Sequence, residues 1–175
     1  AIGPEISKTF FVGPSTTEKE KWDVVSLSID PADFFSDERG IYVHGNSPWG
    51  NFAERGEQWE RPAYMEYFGS TNNHEIHKTI GVRIHGRSSR YSPQKSLRLI
   101  ADNKYNTGEI FLPGLNPDTV TQFEFILLRA PESLFSTSTY LDDYVQSFLQ
   151  PLNLDHQGSR PCLLFINGEF WGIHH

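Results

Sequence analysis

The chain has 175 residues, which is enough for one domain with a hydrophobic core, and 37% of them are hydrophobic. Its formal net charge is −7, and no apolar run approaches the ~20 residues that a membrane-spanning helix needs. The 14 glycines and 11 prolines predict many turns and few long helices. The single cysteine, Cys162, excludes an internal disulfide, and its apolar neighbours predict a small core residue rather than a nucleophile.

The first 61 residues predict one buried strand between two irregular segments. Residues 1–21 are expected to be the end of an upstream module and a linker, because a strand-like run is followed by a polar stretch with Gly-Pro. A buried strand is predicted over residues 22–29, and Asp30-Pro31 then begins a turn or one helical turn. Residues 36–61 form a long loop that contains Trp49 and Trp59. A loop of this length inside a compact domain is usually packed down or functional.

The remaining segments predict more strands and one helix. Short alternating or apolar runs predict strands over residues 62–68, 76–85, 94–100, 123–129, 162–166 and 169–173. Asn167-Gly168 predicts a two-residue hairpin turn between the last two. Residues 139–149 have apolar positions at i, i+3, i+4, i+7 and i+8 and predict a helix. The expected fold class is α+β, with a mostly antiparallel sheet, one main helix packed on it, and residues 22–175 in a single lobe.

Positive charge is concentrated in one segment of this acidic chain. Residues 78–104 hold seven Lys and Arg and one acid, Asp102, whereas residues 1–70 hold twelve acids and six bases. A local excess of one sign raises the concentration of the opposite ion, so this segment indicates an anion site. The alternative is a solvated basic face. Binding to bulk nucleic acid is not expected, because it usually needs a basic domain rather than one basic segment.

The connection between two predicted strands carries groups that suit a phosphate. The candidate residues are Gly86, Arg87, Ser88, Ser89, Arg90 and, just inside the next strand, Lys95. Glycine permits close approach of the backbone, the hydroxyl groups donate hydrogen bonds, and a fixed lysine balances charge. The pattern is neither a Walker A loop nor the glycine-rich loop of protein kinases. Ordinary turn chemistry is the alternative explanation.

Three segments together resemble the CotH family of spore-coat atypical protein kinases. They are residues 81–99 (GVRIHGRSSRYSPQKSLRL), residues 160–173 (RPCLLFINGEFWGI), and residues 24–31 (VVSLSIDP) with 40–43 (GIYV). The resemblance covers residues 22–173 and corresponds to the N-terminal portion of the family. It implies a kinase-like N-lobe of an enzyme that transfers phosphate from ATP, bound with Mg²⁺, to protein serine.

The resemblance also implies roles for particular residues. The loop over residues 86–92 would cover the phosphates, and Lys95 would pair with them. Asp143 occupies the position of the acid that holds this lysine, although Asp142 lies closer to the apolar side of the helix. Both acids are equally consistent with simple stabilisation of a helix N-terminus. Residues 165–172 would lie near the hinge to a second lobe.

Metal-binding and catalytic groups are expected in that second lobe, because phosphoryl transfer needs carboxylates that hold metal ions. The chain ends at His175, so we expect no independent kinase activity and predict neither a catalytic residue nor a metal site within it. Its partners would be a nucleotide and, in the full-length protein, a protein substrate. By resemblance, the location would be the bacterial spore coat, the cell surface or the medium.

Two other functions remain open from the residues. A non-catalytic binding module of a secreted or surface protein would use Trp49 and Trp59 as a contact platform for glycans or a coat protein. A kinase-like fold that binds no ligand is the third possibility, because fold does not determine function. Convergence of Arg87, Arg90 and Lys95 on one concave site would favour the nucleotide hypothesis, and Trp residues exposed in a groove would favour the binding module.

Overall fold

The structure, a computed structural model, describes residues 8–10, 22–70, 75–115, 120–131, 141–149, 152 and 157–175, and only the backbone of residues 141–143. The described strands are β1 (Asp23–Ile29), β2 (Arg61–Phe68), β3 (Glu75–Ile84), β4 (Leu97–Ile100), β5 (Ile110–Phe111), β6 (Gln122–Phe123), β7 (Phe125–Leu128), β8 (Cys162–Ile166) and β9 (Glu169–His174). The described α-helices are α1 (Pro31–Phe35) and α2 (Leu141–Leu149).

Seven strands form one sheet in the order β7-β4-β3-β2-β1-β8-β9, and β5 pairs separately with β6. Neighbouring strands are antiparallel, except that β1 and β8 are parallel. The two outer strands meet just beyond their ends. The Arg129 N–H donates to the His175 carbonyl at 2.7 Å, and the His175 N–H donates back at 3.0 Å. The sheet therefore curls until its edges join at this point, and we call it the rolled sheet.

The core lies on one face of the rolled sheet, because successive side chains of a strand point to opposite faces. Leu27, Met65 and Leu99 come from three different strands and are at most 2% exposed. Phe34 of α1 is fully buried beside them, and the Asp30 carboxylate caps that helix by accepting from the Ala32 N–H at 2.8 Å.

Cys162 is buried in the same core, which confirms its predicted role as a small core residue. Burial raises the pKa of its thiol to about 12, so the thiol stays protonated at neutral pH. No described helix has the length and apolar content that crossing a bilayer requires.

The predicted α+β fold class is wrong, because the described chain is mostly β. Helix α2 has nine residues, and its apolar side chains Tyr144, Val145 and Phe148 are about half exposed or more. Periodicity correctly predicted that a helix forms here. Periodicity does not indicate what the apolar side of a helix packs against. In this fold the curled sheet fills the described core largely with strand side chains.

Most predicted strands are present within one or two residues of their expected bounds. The predicted strand over residues 94–100 is shorter, since β4 begins at Leu97 and leaves Lys95 before it. The Asn167-Gly168 hairpin is confirmed, with φ of 51° and 85° as a tight primed turn requires. The Asn167 amide also exchanges two hydrogen bonds with the backbone of Ile29, at 2.9 and 3.0 Å, and so joins this hairpin to β1.

Residues 8–10 lie against the outer face of the rolled sheet. The Thr9 hydroxyl contacts the Ser26 hydroxyl at 2.8 Å and also the buried carboxylate of Glu66. The expected boundary between an upstream module and the lobe at residue 21 stays a prediction, because residues 11–21 lie outside the described part of the chain.

Candidate functional site

A tight turn follows β3 at the segment that the sequence singled out. Gly86 has a φ of +106°, and a Cβ there would lie 2.1 Å from the Ser89 hydroxyl, so both conformation and space demand glycine. Residues Ser88–Tyr91 form a 3-10 turn. The Gly86 carbonyl accepts from the Arg90 Nε at 2.7 Å and from the Arg55 Nη2 at 3.2 Å. Two arginines thus converge on the turn.

Arg90 connects this turn to the long loop before β2. Its side chain is buried, and its Nη1 donates to the carbonyls of Phe52 at 3.0 Å and Glu54 at 2.7 Å. Hydrogen bonds from a charged guanidinium to buried carbonyls are among the stronger ones in proteins. Arg90 therefore fixes the position of the loop relative to Gly86.

Asn51 organises the loop itself. Its amide nitrogen donates to the carbonyls of Asp37 at 2.9 Å and Gly40 at 3.0 Å, and its amide oxygen accepts from the Ser47 N–H at 3.1 Å. The residue is 2% exposed, so these bonds satisfy backbone groups that water does not reach. The predicted long loop is packed down by one buried amide.

The turn and the loop enclose a cavity of about 310 Å³, which we call the basic cavity. Its described wall consists of Ile41, Asn51, Glu54, Arg55, Gly56, Trp59, Arg83, Ile84, His85, Gly86, Arg90 and Arg98. Four of these residues are arginine and one is glutamate. The cavity is therefore a site of positive potential on a chain whose net charge is −7.

Two of the arginines face each other across neighbouring strands. Arg83 of β3 and Arg98 of β4 are register partners, and like charges directly opposite one another are destabilising. Glu60 neutralises Arg83 through an Nε–Oε2 contact of 3.1 Å. Within the described chain no carboxylate lies within 4.0 Å of Arg98, and its buried Nε has no hydrogen-bond partner. The Arg98 guanidinium instead lies 3.7 Å from the centre of the Phe125 ring.

The titration of neighbouring groups reflects the same positive potential. Burial, followed by the charges of Arg90 and Arg98, lowers the pKa of His85. Burial, followed by the charges of Arg55 and Arg83, lowers the pKa of Arg90. His85 is therefore neutral at pH 7, whereas arginine remains cationic, so the arginines supply the charge of the cavity.

Lys95 lies apart from this wall, in an aromatic environment. It is 6% exposed, its Nζ donates to the Ser92 carbonyl at 2.7 Å, and the Nζ lies 4.4 Å from the ring centre of Phe52 and 5.3 Å from that of Tyr42. Burial lowers the pKa of Lys95. No carboxylate among the described residues pairs with it.

The structure brings together part of the predicted set. Gly86 and Arg90 lie in the wall of the basic cavity, whereas Arg87 and Ser88 are exposed and lie outside it, as does the half-buried Ser89. Asp142 and Asp143 belong to α2, but their side chains lie outside the described part of the chain. Their predicted contact with Lys95 stays a prediction.

Sequence reasoning did not single out Arg55 or Arg98 as site residues. Arg98 could have been found from the sequence, because pairing the two predicted strands around the Gly86 turn places it opposite Arg83. Arg55 is 31 residues from Gly86 in the chain, and nothing local indicates their contact. Trp59 lies in the wall of the basic cavity, whereas Trp49 is 75% exposed and outside it.

A second, larger cavity of about 350 Å³ continues the core on the apolar face of the rolled sheet. Its wall includes Val25, Met65 and Leu99 and carries few charged groups, so it lacks the clustered cations of the basic cavity. The described residues contain no group of three or more His, Cys, Asp or Glu that could hold a metal ion. The basic cavity is therefore the better candidate for binding an anionic ligand.

Comparison with known proteins gives the chain a family. A family model described as CotH kinase protein matches residues 82–175, which is more than half of the chain and includes the Gly86 turn, Lys95 and the last hairpin. A search of curated proteins found no match. The matched range begins in β3 and contains the arginine-bearing strands that form the wall of the basic cavity. The chain belongs to the CotH kinase family.

Proposed function

We propose that this chain binds a nucleoside triphosphate, with its phosphates in the basic cavity against Arg98 and Arg55. The observation that carries the proposal is the cross-strand pair of Arg83 and Arg98, for which the described chain supplies one carboxylate, Glu60. The Arg98 guanidinium has no carboxylate partner within the described chain, and a phosphate group at the cavity wall would supply the missing negative charge. The basic cavity thus fits an anion that bears several charges.

Family membership supports the choice of nucleotide among the possible anions. In a protein kinase the nucleotide is ATP with Mg²⁺, and catalysis consists mainly of positioning and charge stabilisation. In this proposal the chain is the nucleotide-binding part of a CotH-type protein serine kinase. The groups that hold the metal ions and orient the acceptor serine belong to a second lobe, and Mg²⁺ arrives with the ATP.

Arg90 and Gly86 have structural tasks within the proposed site. Arg90 already donates to three carbonyls and so holds the wall in place, while Gly86 allows the turn that brings Arg55 close. Arg98 has no such commitment, because its contact within the described chain is the face of Phe125. We therefore assign the main phosphate contact to Arg98.

Calorimetric titration with Mg-ATP tests the proposal through Arg98→Gln. We expect the variant to bind at least about tenfold more weakly, a loss of ~1.4 kcal/mol. Lys95→Met should lose less, because Lys95 lies outside the wall and its ammonium group is held by Ser92. Arg39→Gln is the matched control, since Arg39 pairs with Asp30 and Asp33 away from the cavity.

Arg98→Gln is expected to stay folded, so a loss of ATP binding can be attributed to the missing side chain. Removing Arg98 loses the contact with Phe125 but relieves repulsion from Arg83, so the free energy of unfolding should change by less than about 1 kcal/mol. Equal ATP affinity of wild type and Arg98→Gln would contradict the proposal. A larger loss in Lys95→Met than in Arg98→Gln would instead place the phosphates beside the rings of Phe52 and Tyr42, in the role that the resemblance implies for Lys95.

A further inference from the structure

The wall of the basic cavity contains one large aromatic side chain among its cations. Trp59 ends the 3-10 turn Glu57–Trp59 and lines the cavity together with Arg55, Arg83 and Arg98. An indole beside arginines offers two kinds of contact, a flat apolar surface and fixed positive charge. Nucleotides present the matching pair, since every base has a π-face and every phosphate is anionic.

The indole is held in a fixed orientation from behind. The Arg61 guanidinium lies over one face of the Trp59 ring, with its central carbon 5.4 Å from the ring centre. That guanidinium is itself fixed, because its Nε donates to the Arg39 carbonyl at 2.9 Å and its Nη1 donates to the Gln58 carbonyl at 2.9 Å. The indole is half-buried and also packs against the hydrophobic core, while another part of it lines the basic cavity.

We infer that Trp59 is the base-stacking residue of the basic cavity, so that the site recognises a nucleotide rather than a polyphosphate alone. This inference rests on the proposed function, because it requires phosphates at Arg98. The base lies against the part of the indole that lines the basic cavity, and Arg61 over the ring strengthens the platform by a cation–π contact. A cavity of about 310 Å³ lies at the lower end of the range for small-molecule sites.

Calorimetric titration with Mg-ATP and with inorganic tripolyphosphate separates the base from the phosphates. In Trp59→Leu we expect ATP binding to weaken about tenfold, within the range for loss of one base–aromatic stack. Tripolyphosphate binding should change by less than about twofold, because its charges meet only the arginines. Trp49→Leu is the matched control, since Trp49 belongs to the same loop but is 75% exposed and lies outside the wall.

Trp59→Phe provides a second measurement that does not depend on the stability of the leucine variant. Phenylalanine keeps a ring, so ATP affinity should stay within about threefold of wild type. ATP, but not tripolyphosphate, should quench the tryptophan fluorescence of the wild type, and this quenching should be absent in Trp59→Phe.

The possible results distinguish the two proposals. Equal weakening of ATP and tripolyphosphate in Trp59→Leu, or no weakening of either, would overturn the stacking role and leave the anion site intact. The same conclusion would follow if the wild type bound tripolyphosphate as tightly as ATP. Failure of the folded wild type to bind either ligand would overturn the proposed function and the role of Trp59 with it.

Discussion

Three cationic side chains at or near the basic cavity differ in how their donors are used. Arg90 gives three hydrogen bonds to backbone carbonyls, and Lys95 gives one to Ser92 while its ammonium group lies against two rings. Arg98 gives none within the described chain. Since desolvated donors are costly when unused, the first two side chains are parts of the scaffold, and we assign the proposed phosphate contact mainly to Arg98.

His174 is a buried neutral histidine next to the same segment. It is fully buried, its Nδ1 lies 3.3 Å from the Gln94 amide nitrogen, and its Nε2 lies 3.4 Å from the Lys95 carbonyl. The amide nitrogen is a donor, so Nδ1 accepts and Nε2 carries the proton. Burial lowers the pKa of His174 to about 4. Protonation of His174 would place an Nδ1–H donor against the N–H donor of the Gln94 amide.

The protein should lose stability as pH falls from 6.5 towards 4, the window between the ordinary and the folded pKa of His174. The unfolded state binds the extra proton there, so the loss approaches about 3 kcal/mol at the lower end. The free energy of unfolding, measured with urea at several pH values in this window, should depend less steeply on pH in His174→Gln than in wild type. His44→Gln, at an exposed site, is the control and should keep the wild-type slope. Identical slopes in wild type and His174→Gln would show that His174 does not titrate there.

At the scale of elements, the long loop between α1 and β2 carries the residues that complete the cavity. Arg55 and Trp59 lie in the wall only because Asn51 closes the loop and Arg90 ties it to the Gly86 turn. The loop has little regular structure beyond short 3-10 turns, so side-chain amide and guanidinium bonds replace the backbone ladder of a strand.

Asn51→Ala should lower the free energy of unfolding by about 2–4 kcal/mol, because it leaves buried carbonyls and one N–H without partners. Urea unfolding measures this change. Asn46→Ala is the control, since the Asn46 side chain is exposed, and its stability should stay within about 0.5 kcal/mol of wild type. If Asn51→Ala lowered the free energy of unfolding no more than the control, water would be forming the hydrogen bonds that the loop backbone loses.

At the scale of the whole molecule, charge and curvature together create the site. The chain as a whole is acidic, yet the arginines of β3, β4 and the long loop meet at one cavity. A cavity that focuses positive potential attracts an anion at short range although the net charge repels it at long range. The curl of the rolled sheet also removes its open edges where Arg129 and His175 pair.

Hydrogen exchange measured by NMR tests this closure. The amide protons of Arg129 and His175 bond across the two edges, so they should exchange on the order of a hundredfold more slowly than the amide of the exposed loop residue Trp49. Exchange of both amides as fast as that of Trp49 would mean that the edges of the sheet are open in solution.

Local physical chemistry accounts for most strands and for the last hairpin. The buried-strand pattern predicted β1, alternating side chains predicted β2 and β3, and the conformations that Asn167-Gly168 favours predicted its turn. The apolar run around Cys162 predicted its burial. The concentration of bases in residues 78–104 also predicted an anion site, and that stays a prediction. These features depend on neighbours within a few residues of each other.

The tertiary structure decided what depends on contacts between distant segments. The curl of the sheet made the fold mostly β, although α2 has the periodicity of a packed helix. Arg55 lies in the wall of the basic cavity and bonds to Gly86, 31 positions away, and Lys95 is buried against Phe52, 43 positions earlier in the chain. Such contacts follow from strand order and sheet curvature, and no local pattern of residues specifies either of these.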